Sequence, residues 1–411
     1  MFNRRGGLML IERIRLFAIL ASLALASTSS LAAISSRPAP AKECALASPS
    51  SGSDSIGISA TPPFPPVQLD ISVPFEPTLF PSGGFSYLIY ELHFQNYTDD
   101  PLALRGLEIA DASHTPSRSV AGFTGSQLYE LLLSIGADKI DGDHPLEGGK
   151  RAVAFICLAF ADAGTVPEKL SHRVLVGDSV AEGPTIGTRH TQLKVLAPPV
   201  TGTDWVADNG PSLHSHHRTG LFITGGRAQL SRRFAIDWKQ TEQNAMYSGD
   251  ARDVRSYHSY GEKVFAVADA IVVSAKDGLP DNVPRTAAGF DTAVPITMEN
   301  VAGNAIVLDL GHGQFAYYAH LKPDSVRVKA GDRVKRGEWL GQIGNSGDAR
   351  WPHLHFQVAT GPNILASEGL PFLIDRYRTK GKDGTWQIRT REYPMGDIAV
   401  ELEVNSATPL K

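Results

Sequence analysis

The stretch that most limits the fold is Pro352-His353-Leu354-His355-Phe356-Gln357-Val358. Side chains alternate faces along an extended strand. His353, His355 and Gln357 then share one face, and Leu354, Phe356 and Val358 the other. The apolar face can enter a core while two imidazoles face a cleft. A strand of this kind can bind zinc, or set one metal ligand beside one acid or base. Two histidines on a solvated strand face is the plainer reading, and the segment alone leaves both open.

The rest of the chain reads as all-β. From 66 to 197 short apolar runs alternate with turn residues, as in Ser86–Phe94, Leu102–Ile109, Ala152–Leu158 and His172–Val176. Strands at this spacing predict an immunoglobulin-like β-sandwich. One short helix is expected at Gln127–Leu133. Pro198-Pro199-Val200-Thr201-Gly202-Thr203 marks a boundary, and a second strand-rich domain is expected over 203–375. Residues 376–411 are polar and are expected to form a C-terminal tail that packs locally or is partly disordered, with a strand expected at Ile398–Val404.

The beginning of the chain carries Arg4, Arg5, Arg13 and Arg15, then the apolar run Leu16–Ala26, then Ser30-Leu31-Ala32-Ala33. Basic, apolar and small-residue regions in that order predict a secretory signal peptide over 1–33. A flexible Ser/Pro/Gly/Ala-rich leader follows over 34–65. No later run of about 20 apolar residues reads as a membrane anchor. The expectation is an exported protein, periplasmic or extracellular, with no stable membrane insertion after signal cleavage. The formal net charge of −4 gives no electrostatic case for nucleic acid. Cys44 and Cys157 are the only two cysteines. An oxidising compartment permits them to pair, and two free thiols are equally open.

The segments of the second half come in a distinctive order. A hairpin around Val264–Val272 comes first, then Tyr317-Tyr318-Ala319-His320-Leu321. A Gly-punctuated run from Val328 to Gly347 follows, and the Pro-His-Leu-His-Phe stretch closes the series. Together they resemble the catalytic domain of lysostaphin/LytM-type zinc metallopeptidases, over about 205–375. Ser325–Gly347 alone also resembles the barrel-sandwich hybrid of lipoyl and biotinyl carriers, which would have no need of His320, His353 and His355.

The resemblance implies a zinc-dependent endopeptidase acting on peptidoglycan or another peptide substrate. It implies Asp237 and His355 as metal ligands, and His320 and His353 as the catalytic histidines around the attacking water. A catalytic zinc keeps an open position, and neutral imidazole ligands make its binding weaken in acid. The resemblance fails at one position. Where the family places a ligand histidine, four residues before Asp237, this chain has Arg233. A guanidinium has no lone pair for a metal. Three readings follow: a loop histidine replaces it, from among His214, His216, His217 and His258, with His217 preferred; zinc is held weakly by two ligands; or Arg233 pairs with Asp237 in a degenerate domain that binds wall or regulates a partner. The sandwich is expected to be a spacer, a cover or a docking module for a protein partner.

Overall fold

The computed structural model describes residues 39–48, 64–134, 140–381, 384–396 and 398–403. The expected signal peptide and most of the leader lie outside these residues. Nearly all of the regular secondary structure among the described residues is strand. No described helix is long and apolar enough to cross a membrane.

Two antiparallel pairings dominate the N-terminal half. Phe85–Asn96 pairs along its length with Arg151–Phe160 in a six-stranded sheet. A four-stranded sheet, built around Leu104–Asp111 and Lys169–Val176, covers one face of it. Period-2 alternation sends Leu88, Tyr90, Leu92 and Phe94 into the core between the two sheets, where they meet Leu107, Ile109 and Val174. The expected helix is shorter than its apolar run, at Ser126–Leu131. Leu132 turns extended there and pairs with Ala154 instead.

The other face of Phe85–Asn96 is buried as well. Tyr87 and Ile89 join Phe80 in a core that continues through Trp205, Phe234, Ile236, Phe356 and Tyr393 of the second half. Phe80 packs edge-on against Phe234 and Tyr393, with ring centres 5.5 and 5.4 Å apart. Pro40–Lys411 is accordingly one compact unit.

Part of the expected flexible leader is ordered. Ala45–Ala47 adds a parallel strand to Arg151–Phe160, and Cys44 forms a disulfide with Cys157 across 113 residues. Closing a loop of that length removes unfolded-state entropy worth roughly 2–5 kcal/mol. Cys157→Ser is expected to lower unfolding stability by that amount in urea titrations, and reduction of the parent protein should match it.

The second half is built on a twelve-stranded sheet. Gly202–Asp208, Ile236–Gln240, Leu354–Ala359, Phe315–Leu321, Asn304–Asp309 and Ala270–Lys276 are consecutive neighbours in it. The expected C-terminal tail is a correction. Leu373–Lys380, Trp386–Glu392 and Ile398–Leu402 belong to the same sheet, and Ile398–Leu402 pairs with Gly202–Asp208. Tyr377, Tyr393, Val400 and Leu402 are buried, so a polar-looking segment still anchors one apolar face. The Tyr393 hydroxyl donates to the Phe234 carbonyl, three residues ahead of Asp237.

Candidate metal and catalytic site

Leu354–Ala359 lies between Ile236–Gln240 and Phe315–Leu321. Register sets His355 opposite Asp237 on one side and Ala319 on the other. Leu354, Phe356 and Val358 are fully buried in the core, as the alternation predicts. His355 and Gln357 face the opposite way, and His353 stands just ahead of the strand. The four residues singled out from the sequence come together. His355 Nδ1 is 3.0 Å and His353 Nε2 3.4 Å from Asp237 Oδ1. The His320 ring centre is 5.0 Å from that of His353 and 5.9 Å from that of His355. They line a cleft of about 720 Å³.

His320 is held in a backbone conformation that side chains other than glycine rarely adopt, with φ at 65°. Such strain persists only where the surroundings impose it. Here its N–H donates to the Ala302 carbonyl, and its Nδ1–H donates to the Ser346 carbonyl at 2.9 Å. Gly303 packs so tightly on this turn that an added Cβ would stand 2.6 Å from the Ser346 carbonyl carbon.

Of the loop histidines, His217 reaches the cluster. Its Nε2 is 3.6 Å from Asp237 Oδ1, and its ring lies edge-on to His355 with centres 4.7 Å apart. His216 stacks beside it, exposed at the mouth; donor atoms of His216, His217 and Asp237 lie within 4.8 Å of one another. His214 and His258 do not line the cleft.

Acceptor-only partners set the protons on these rings. His217 Nδ1–H donates to the Asn209 carbonyl and His353 Nδ1–H to the Trp351 carbonyl. Gln357 donates weakly to the Ile364 carbonyl, which turns its oxygen toward His355 Nε2–H. The remaining ring nitrogens, Nε2 of His217 and His353 and Nδ1 of His355, all face Asp237 Oδ1, and His355 Nδ1 is within hydrogen-bond distance of it. Four nitrogen and oxygen donor atoms thus converge on one point, where either a proton or a cation can bridge them. Asn209 Nδ2 donates to the other carboxylate oxygen at 2.8 Å and leaves Oδ1 to the histidines.

The electrostatics agree. Burial pushes the Asp237 carboxyl up, but His217 and His353 beside it hold it well below the usual carboxylate range. Burial also holds His217 well below its ordinary value, against the pull of Asp237. His320 is likewise kept neutral, by burial and then by His353 and His355. The result is a buried anion ringed by imidazoles, a donor set that suits a divalent cation. Asp237, His355 and His217 form a set of the type that holds zinc in three-ligand sites, with carbonyls and an amide fixing the rings from behind.

Arg233 does not pair with Asp237. Residues 231–234 form a turn before the strand begins at Ile236, so the side chain leaves on the far side. There Arg233 makes a two-pronged contact with Glu91, at 3.0 Å from Nε and 2.6 Å from Nη2, and a second ion pair with Glu368 at 2.7 Å. Arg218, next to His217, reaches the same Glu91 carboxylate and the carbonyls of Tyr90 and Ile156. Two cations and two anions thus balance one another below the site, three of them almost fully buried. Glu91, Asn209 and Arg232 went unnoticed in the sequence. An acid within the apolar run Leu88–Phe94 was the available signal for Glu91.

Residues 253–365 match Peptidase family M23. The match takes in His320, His353 and His355 and begins after His217 and Asp237. The chain is similar to the peptidoglycan DD-endopeptidase ShyA of Vibrio cholerae, at 32% identity over 20% of this chain and 18% of the relative. It is similar to the glycyl-glycine endopeptidase ALE-1 of Staphylococcus capitis, at 44% identity over 14% of this chain and 16% of the relative. The matched stretches span less than a fifth of either relative's length. Among solved structures, the catalytic domain of lysostaphin from Staphylococcus simulans is similar at 20% identity, over 41% of this chain and 88% of that one, with a TM-score of 0.23. His320, His353 and His355 of the cluster lie within the matched stretch, and over residues 253–365 the chain carries a Peptidase family M23 domain.

Proposed function

We propose that this protein is an exported zinc-dependent endopeptidase that hydrolyses peptide bonds in peptidoglycan. One observation carries the reading: ring nitrogens of His217, His353 and His355 converge on the buried Asp237 carboxylate. In this reading Asp237, His355 and His217 hold the metal. When bound, zinc supplies a Lewis acid and lowers the pKa of a water toward about 7. His320 and His353 carry their protons on Nδ1, pinned by the Ser346 and Trp351 carbonyls. Each therefore keeps Nε2 free as a base. One of them takes the proton of the attacking water and returns it to the departing amide nitrogen. While it holds that proton, before handing it on, the charged ring stabilises negative charge on the carbonyl oxygen. Gln357 and Asn209 do not touch the reacting atoms; they hold the rings and the carboxylate in place.

Export is supported by the Cys44–Cys157 disulfide, which forms and persists in oxidising compartments. The peptidoglycan substrate rests on the name of one relative, the peptidoglycan DD-endopeptidase ShyA; the name of the other states a glycyl-glycine endopeptidase.

The test combines metal content with wall lysis. Zinc-loaded protein is expected to retain about one zinc per chain after dialysis and to clear purified walls. His355→Ala should do neither while keeping its fold by circular dichroism. A parent protein that retains no zinc, with lysis unchanged in His355→Ala, sinks the enzyme reading and leaves a wall-binding or regulatory domain.

A further inference from the structure

The cleft around Asp237 carries more positive than negative side chains. Its cations are Arg232, Lys239, Arg285 and Arg350, and its anions Asp208, Asp237 and Asp348. Two of the anions are already paired, Asp208 with Lys239 and Asp348 with Arg350. Asp237 is occupied by three imidazoles. Among the described residues, no carboxylate lies within ion-pair distance of Arg232 or Arg285. A bound divalent ion would add two further positive charges beside them.

Arg232 is the better placed of the two. It is half-buried in the cleft wall, whereas Arg285 is exposed. Gly220 makes the space for it, since an added Cβ at 220 would stand 2.5 Å from Arg232 Nη2. A guanidinium presents a planar fork of donors that matches a carboxylate, and it stays charged. Asp237 and Asp348 attract Arg232 only from beyond ion-pair distance, and keeping such a group partly desolvated without a direct partner costs stability. The cost is recovered when a ligand brings the missing anion.

We propose that Arg232 binds a carboxylate of the peptide substrate close to the scissile bond, so that the cleft selects peptides with a free carboxylate there. The proposal rests on the endopeptidase reading and adds a recognition element to it. Two sources share this chemistry: the terminal carboxylate of a stem peptide and a side-chain carboxylate next to the bond.

Three synthetic cross-linked stem-peptide dimers separate them. One has every carboxylate free, one carries a terminal carboxamide, and one has its side-chain carboxylate amidated. For the zinc-loaded parent protein, one amidation is expected to lower kcat/KM by about tenfold or more, the scale of a charge-assisted hydrogen bond. Which one does so names the source. Arg232→Gln should lower kcat/KM for the free dimer by a similar factor and cleave all three dimers alike. Arg232→Lys, which keeps the charge, should retain part of the preference and controls for loss of fold. Equal cleavage of the three dimers by the parent protein, or a preference that survives in Arg232→Gln, overturns the proposal. If no dimer is cleaved, the endopeptidase reading fails separately. Calorimetric Kd values for the same dimers then decide the matter: a carboxylate preference lost in Arg232→Gln upholds the subsite, and its absence overturns it.

Discussion

Glu91→Ala is expected to remove roughly 3–5 kcal/mol of stability, the cost of leaving buried charge unpaired. That is a large part of the 5–15 kcal/mol typical of a folded protein. The carboxylate is almost fully buried, and it meets both Arg218 and Arg233. Its loss leaves two guanidiniums facing one partly exposed acid, Glu368. Arg218 follows His217 directly and Arg233 precedes Asp237 by four residues, so the damage should spread to the metal site. Glu91→Gln keeps the shape and removes the charge; it should be intermediate. Chemical unfolding gives the stability, and chelator competition on the folded fraction gives zinc affinity. A Glu91→Ala protein within about 1 kcal/mol of the parent would show that the network contributes little.

His217→Ala should lower zinc affinity by more than about 100-fold, since even residues that only orient ligands cost 10–100-fold when removed. Wall lysis should fall at least in proportion. His216→Ala is the discriminating control. Its ring is exposed at the mouth of the cleft, and its removal should change affinity by no more than a few-fold. A reversed order of effects would transfer the third ligand to His216. Equal affinity in parent, His216→Ala and His217→Ala would leave Asp237 and His355 without a third protein ligand. Asn209→Ala offers a subtler reading of the same geometry, because it frees Asp237 Oδ2, the carboxylate oxygen to which Asn209 Nδ2 donates.

The strand at His353–Val358 was legible because burial on one face imposes a period of two, and Leu354, Phe356 and Val358 satisfy it. Asp237 and His320 were legible only through their order along the chain. The direction of Arg233 was not, because its partner Glu91 lies 142 residues upstream and the turn at 231–234 breaks the alternation. His217 was one of four candidate loop histidines, and what separates it from the others is the Asn209 carbonyl behind its ring. The C-terminal strand at Ile398–Leu402 was legible, whereas the one before it escaped for a different reason. Trp386–Glu392 has no buried face, so backbone pairing with Leu373–Lys380 holds it and no hydrophobic rhythm announces it.

The second buried face of Phe85–Asn96 has a consequence for how such a chain can be rearranged. The Pro198–Thr203 segment looks like a seam where a catalytic cassette might be cut out and fused to another carrier. Cutting there would bare Phe234 and Tyr393 where Phe80 now packs, and strip Arg218 and Arg233 of their shared acid. The two halves therefore depend on each other for stability, and any graft of this candidate site has to bring the Phe85–Asn96 strand with it.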